Sequence, residues 1–218
     1  MEKKPKKMNK ISNYLHHAKN EINYEKELFE KYVNKNKNII DVGGWIGVMS
    51  LILSQLTSKK VYVYEPNPEA FYFLKQNIEQ NNVKNVLTYN VGIGNKLKKT
   101  KILYSANENI GQTLLCLEKK DLDNNKNGVE VDLIKLDDIK IKNIGFIKID
   151  VEGYELEVLK SGENLLTQNK MVVAVEYHGF DIKEKFVTTK DPVIKIMKKY
   201  KYKVIEEKEN KLIFKNYE

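Results

Sequence analysis

Residues 39–47 read Ile-Ile-Asp-Val-Gly-Gly-Trp-Ile-Gly, and they decide the fold. Apolar residues run into Asp41, a glycine-rich loop follows, and an apolar stretch from Val48 to Leu56 opens at helical length. The pattern is that of a strand that ends, a backbone that turns tightly and a helix that begins. Glycine at 43, 44 and 47 permits positive φ and lets a ligand approach the backbone closely. The helix start adds unpaired N–H groups and partial positive charge.

Such a turn holds either a nicotinamide dinucleotide or S-adenosylmethionine (SAM). The dinucleotide pattern G-x-G-x-x-G would place its first glycine on Val42. The spacing present is D-x-G-x-x-x-G, on Asp41, Gly43 and Gly47, with Gly44 inside it. A carboxylate at the strand end repels a pyrophosphate but suits the ammonium and sulfonium charges of SAM. SAM is therefore the expected cofactor.

The alternation continues along the chain. Residues 21–33 form an amphipathic helix, with Ile22, Leu28, Phe29, Tyr32 and Val33 near helical spacing. A strand at 38–42 and a helix at 47–57 are followed by a strand, Val61–Glu65. Asn67 is a good N-cap and Pro68 a good first residue for a helix reaching about Asn81. Strands follow at Val86–Asn90 and Gly145–Asp150, then a helix at 153–160, a strand at Met171–Tyr177 and a helix at 191–200. Two strands, Tyr202–Glu207 and Lys211–Lys215, close the chain as a hairpin. Alternating β and α units imply a mainly parallel sheet with helices on both faces. Residues 98–135 break the rhythm as a small β insertion: Lys101–Tyr104, Thr113–Leu115 and Val129–Ile134 read as short strands, with an exposed turn at 119–128.

At 218 residues the chain is long enough for one domain with a full core, placed at 21–218. Residues 1–20 are basic and expected to be disordered. The start, Met-Glu-Lys-Lys-Pro-Lys-Lys, lacks the apolar run of a signal peptide. No apolar run approaches the ~20 residues of a membrane span. Cys116 is the sole cysteine, which excludes an internal disulfide and a Cys-rich zinc site and makes the cytoplasm the default location. The net charge is +8, yet all 38 basic residues are Lys. Lys and Asn abundance fits an AT-rich genome, and the Arg that dominates bidentate base and phosphate recognition is missing. A nucleic-acid partner is therefore disfavoured. The oligomeric state is not readable.

In open α/β sheets ligands bind beyond the C-terminal strand ends. Those ends carry Asp41, Glu65, Asn90, Asp150 and Glu176. Glu65 lies 22 residues after Gly43, where a carboxylate accepts hydrogen bonds from ribose hydroxyls in either cofactor. Asn90 either pairs with the adenine amino group or caps a turn. Asp150 and Glu152 leave their strand together, Gly153 turns the backbone, and the next strand ends Glu176-Tyr177-His178. Methyl transfer to a hydroxyl needs in-line alignment and a group to take the proton. Asp150, Glu152, Glu176 and His178 are the candidates, and like-charged neighbours can raise one carboxylate into the useful range. Asp150 is also a candidate cofactor contact. The same donors suit Mg, Mn or Zn, but a side chain acting directly as base is preferred and no metal is assigned. The bland alternatives are a surface histidine at 178 and solvated side chains at His16 and His17. Trp45 packs on the ligand or plugs the core.

These residues resemble the FkbM family of SAM-dependent methyltransferases. The matches are Ile40–Gly47, Val63-Tyr-Glu-Pro-Asn-Pro68, Asn90-Val-Gly-Ile-Gly94, Leu136-Asp-Asp138 and Lys148-Ile-Asp-Val-Glu-Gly-Tyr-Glu155, the last being the most family-specific. The resemblance covers about 39 to 178. It implies a class I (Rossmann-like) methyltransferase fold with a seven-stranded sheet, and O-methylation of a hydroxyl on a sugar, a glycan or a small metabolite. The family's usual Gly-Ala-Asn-x-Gly loop has Gly44 and Trp45 in place of Ala and Asn, and Gly94 is followed by Asn95 instead of Asp. An RNA base methyltransferase is the alternative. Base N-methylating enzymes commonly carry Asn/Asp-Pro-Pro-Tyr/Phe after the strand that corresponds to Gly145–Asp150, and here Asp150-Val-Glu-Gly153 stands there. A non-catalytic SAM-binding protein is the third reading.

Overall fold

The computed structural model describes residues 19–95, 100–104, 113–115, 128–178 and 189–218. The expectations for the basic start, His16, His17, Cys116 and most of the 119–128 turn lie outside these residues. Helix α1 (Lys19–Glu30) precedes β1 (Asn38–Val42), α2 (Val48–Leu56), β2 (Val61–Tyr64), α3 (Pro68–Gln80) and β3 (Val86–Tyr89). Short strands β4 (Gly92–Ile93), β5 (Thr100–Tyr104), β6 (Thr113–Leu115), β7 (Gly128–Val131) and β8 (Leu133–Ile134) follow. Then come β9 (Ile144–Ile149), α4 (Glu155–Lys160), α5 (Glu163–Gln168), β10 (Val172–Glu176), α6 (Lys190–Lys199), β11 (Lys203–Lys208) and β12 (Lys211–Lys215).

The main sheet has seven strands in the order β11-β12-β10-β9-β1-β2-β3. Every pairing from β10 to β3 is parallel, and β12 runs antiparallel to both β10 and β11. This is the class I methyltransferase arrangement. The order reverses between β1 and β9, which opens a crevice at their C-terminal ends.

Period-two alternation sorts the strand residues onto two faces. Ile40, Val42, Ile147 and Ile149 face one way and pack with Val158 and Leu159 of α4, Leu166 of α5 and Met197 of α6. Ile39, Val61, Val63 and Phe146 face the other and pack with Leu28 and Phe29 of α1, Leu53 of α2 and Leu74 of α3. Strand β9 is buried along its whole length, as expected of a central parallel strand covered on both faces.

Three local results differ from the periodicity. Helix α4 starts at Glu155 and not at 153, because Glu152 (φ 53°) and Gly153 (φ 100°) are left-handed and cannot join it. A second helix, α5, follows after Gly162. Strands β4 and β8 pair in parallel across the insertion, which itself carries β5 between β6 and β7. Among the described residues no helix is long and apolar enough to cross a membrane.

Candidate active site

The glycine loop is built by packing before any ligand is considered. Gly43, Trp45 and Gly47 all have positive φ. The N–H groups of Gly43 and Gly44 both donate to the Tyr64 carbonyl, at 2.9 and 3.2 Å. A Cβ on Gly43 would stand 1.8 Å from the Asp150 carbonyl oxygen, and one on Gly44 would stand 2.2 Å from Val63 Cγ1. Close approach of other backbone and side chains, and not only of a ligand, therefore demands these two glycines.

Asp41 lies beneath this loop, fully buried, and not at the rim. Its Oδ2 accepts from Ser50 Oγ at 2.6 Å, and its Oδ1 stands 3.5 Å from Lys148 Nζ. Burial pushes its carboxyl above the usual range, against the pull of Lys148. Glu65 ties the loop to the next helix: Oε2 accepts from Trp45 N and Oε1 from Asn67 N, each at 2.8 Å. Asn67 caps α3 by accepting from Glu69 N and Ala70 N. The Asn90 amide donates to the Glu65 and Pro66 carbonyls at 2.8 and 3.1 Å, the turn-capping arrangement.

Each Glu65 oxygen accepts one N–H here, and a carboxylate oxygen can accept a second hydrogen bond, such as one from a ribose hydroxyl. Burial, opposed by the two backbone N–H donors, pushes its carboxyl up to about 7. A protonated Glu65 has lost most of that accepting capacity. SAM affinity is therefore expected to hold above pH 7 and to fall by roughly tenfold per pH unit below it. Calorimetry across pH 5.5–8.5 checks this, and Glu65→Gln should flatten the profile. A pH-independent affinity in the unsubstituted protein would take Glu65 out of the cofactor contact.

A cleft of about 620 Å³, counted out to its open mouth, lies between the glycine loop, α1 and the ends of β9 and β10. Gly43, Gly44 and Trp45 line one wall and Ile22 and Glu25 of α1 another. Asp150, Glu152, Glu176 and His178 all face the same cleft. The structure thus brings together the four residues expected to take a proton.

His178 is the centre of the group. Its Nε2 stands 3.7 Å from Asp150 Oδ1, 3.7 Å from Glu152 Oε2 and 3.8 Å from Glu176 Oε1. Its Nδ1 is 2.9 Å from Glu155 Oε1. Burial alone would lower the imidazole, but the Glu155 hydrogen bond and the surrounding carboxylates outweigh it and raise the ring to about 9. Burial pushes Glu152 up to about 7, with His178 pulling the other way. Asp150 goes down: burial is overcome by Lys148, whose Nζ is 3.1 Å from Oδ2, and by His178. Glu176 is held by Lys211 at 3.1 Å and by the Asn210 amide at 2.9 Å, while Glu25 stands 3.7 Å from the same Lys211 ammonium.

Periodicity and motif spacing missed Lys148, Glu155, Glu25 and Lys211 as parts of the site. For Lys148 a signal existed: one lysine interrupts the otherwise apolar run Gly145-Phe-Ile-Lys-Ile149, and lysine is almost never fully buried unless paired. One donor atom each from Asp150, Glu152 and His178 lie within 4.8 Å of one another, close enough for a cation. The Lys148 ammonium beside Asp150 and the charged ring oppose a further positive charge there. Carboxylates that face the glycine loop across the cleft, those of Asp150, Glu152 and Glu176, suit the ammonium and sulfonium charges of SAM.

The model of the Methyltransferase FkbM domain family matches residues 34–204. Methyltransferase 1 of Beauveria bassiana is 27% identical over 56% of this chain and 57% of its own length. The ribosomal protein L11 methyltransferase of Clostridium perfringens is 30% identical over 63% of this chain and 44% of its own length. The chain thus spans about half the length of the curated relatives it matches. Methyltransferase FkbM from Methylobacillus flagellatus KT shares the fold with a TM-score of 0.57 at 17% identity, covering 83% of this chain and 44% of that one. SMU.1697c from Streptococcus mutans, in complex with SAH, gives 0.51 at 14% identity over 89% and 96% of the two chains. An rRNA-methylase candidate from Clostridium thermocellum gives 0.51 at 11% identity over 88% and 94%.

Proposed function

We propose that this chain, which belongs to the FkbM methyltransferase family, transfers the methyl group of SAM to a hydroxyl of a sugar, a glycan or a small metabolite. The observation that carries the reading is the imidazole of His178 set among Asp150, Glu152 and Glu176 at the ends of β9 and β10, facing the glycine loop across one cleft. SAM, when bound, supplies an electrophilic methyl on a positively charged leaving group, so little covalent help is needed from the protein. Gly43, Gly44, Gly47, Asp41, Glu65, Asn90 and Asp150 form or support its cradle. The cleft walls align the acceptor oxygen, and one of the four clustered side chains takes its proton.

The second reading is an RNA acceptor. It draws on the net charge of +8, on the ribosomal substrate named for the Clostridium perfringens relative and on the rRNA-methylase candidate that shares the fold. The cleft disfavours it, because among its charged lining residues the acids Glu25, Asp150, Glu152 and Glu176 outnumber Lys148 and the His178 ring, which does not suit a phosphodiester. Methyl transfer from labelled SAM to carbohydrate and metabolite extracts and to RNA, run side by side, separates the readings. Label is expected in the hydroxyl-bearing small molecules or glycans. RNA association should be weak and fade steeply with salt, as nonspecific phosphate contacts do. Sequence-selective RNA methylation at physiological salt would reverse the order. SAM binding without transfer to either pool would favour a non-catalytic role.

A further inference from the structure

We propose that Glu155 is a positioning residue that holds His178 by Nδ1 and turns Nε2 toward the cleft, so that His178, among the four clustered side chains, takes the acceptor's proton. This rests on the methyl-transfer reading above.

Glu155 opens α4 and is wholly buried. Its Oε1 accepts from Gly153 N at 2.9 Å and from Val151 N at 3.4 Å, and it stands 2.9 Å from His178 Nδ1. The left-handed residues Glu152 and Gly153 wrap the loop so that these backbone donors reach the carboxylate. An oxygen that already accepts two backbone N–H groups meets Nδ1 as an acceptor. The neutral ring therefore carries its proton on Nδ1 and its lone pair on Nε2. The nearest carboxylate oxygens stand 3.7 to 3.8 Å from Nε2, beyond hydrogen-bond length, so among the described residues Nε2 has no hydrogen-bond partner. A base oriented by a buried acid through one ring nitrogen, with the other facing the cleft, is the arrangement that general-base catalysis needs.

The balance is simple. The acceptor oxygen bonds to the methyl carbon as the carbon–sulfur bond breaks, and the hydroxyl proton passes to His178 Nε2. Positive charge leaves sulfur and appears on the ring, where Glu155, Asp150, Glu152 and Glu176 already face it. Lys148 and Lys211, each paired to one of these acids, and Glu25 on α1 complete the charged surroundings. In the free protein those acids hold the ring protonated at neutral pH. A second positive charge in the cleft works against that proton and readies the ring to accept another.

Nitrogen-15 NMR of the full chain tests this. The chain has three histidines, so the resonances lost in His178→Gln identify the ring. The neutral ring is expected as the Nδ1–H tautomer. Its pKa should be lower with sinefungin, which carries an ammonium where SAM carries its sulfonium, than with the uncharged thioether SAH, by one unit or more. Glu155→Gln keeps an oxygen for the backbone donors but offers N–H to the ring. It should reverse the tautomer, lower the ring's pKa by two units or more and reduce turnover by about 10²–10⁴-fold with SAH affinity unchanged. Glu155→Asp should restore the Nδ1–H tautomer. A neutral ring protonated on Nε2 in the unsubstituted protein overturns the proposal, whether or not the variants fold. So does a Glu155→Gln protein with unaltered tautomer and pKa. Failure of the methyl-transfer reading shows separately, as absence of hydroxyl methylation by the unsubstituted protein.

Discussion

His178→Ala is expected to lower methyl-transfer turnover by about 10²–10⁴-fold while SAM affinity stays nearly intact. The ring lies between the cleft and the buried Glu155, and it does not tie the glycine loop together as Glu65 does. Removing it therefore takes away a proton acceptor and leaves the cofactor cradle standing. The pH dependence carries a sign. With the neutral ring as the active form, kcat/KM of the unsubstituted enzyme rises with pH until about 9, where the free ring titrates. That limb should vanish in His178→Ala. A limb near 7 that survives the substitution in single-turnover rates at saturating SAM, where the effect of Glu65 on affinity drops out, would transfer the role to Glu152, whose burial raises it to about that value. Alanine at each of Asp150, Glu152 and Glu176, measured by single-turnover rates beside SAH calorimetry, orders the four contributions. Turnover unchanged in all four variants would show that the reaction happens elsewhere on the surface.

The readable parts of this molecule are those governed by local chemistry. The first strand ends where its apolar run meets the glycine loop, and β1 spans the expected 38–42. Asn67 and Pro68 start α3 for the capping reasons visible in the sequence. The carboxylates at 65, 150 and 176 reach one rim because a parallel sheet aligns the C-terminal ends of its strands. Long-range pairing was harder to read. Lys148 meets Asp41 only because β1 and β9, more than a hundred residues apart, lie in register. Glu155 looks like an ordinary first-turn helix acid, and its role depends on a ring 23 residues later folding back over it. The parallel pairing of β4 with β8 has no periodic signature, since each strand is two residues long. The glycines of this loop point to ligand access in the sequence, while at Gly43 and Gly44 the tight packing of the chain on itself already requires them.

Lys148→Met should destabilise the protein by about 3–5 kcal/mol at pH 7, the usual cost of leaving buried charges without their partner. Lys148 is only 4% exposed, flanked on β9 by fully buried Ile147 and Ile149. Burial opposes its charge, yet Asp150 and Asp41 raise it well above the ordinary lysine range. Its Nζ also reaches the Gly43 carbonyl at 3.4 Å, so one ammonium joins β1, the end of β9 and the cofactor loop. Methionine keeps most of the stem's volume, which separates loss of charge from loss of packing. Without the ammonium, Asp41 retains the Ser50 hydroxyl as its hydrogen-bond donor, and Asp150 loses its closest cation. The deficit should therefore shrink as pH falls and the carboxyls take up protons. Asp41 leads, since burial already raises it. Adding Asp41→Asn to the methionine variant should recover a large part of the loss, because a neutral pair replaces a lone buried charge. Denaturant unfolding of the single and double variants at pH 4.5 and 7 reads both effects. A Lys148→Met protein as stable as the parent at pH 7, or a double variant weaker than the single one at that pH, would mean that the ion pair does not hold β1 to β9 beneath the cofactor loop.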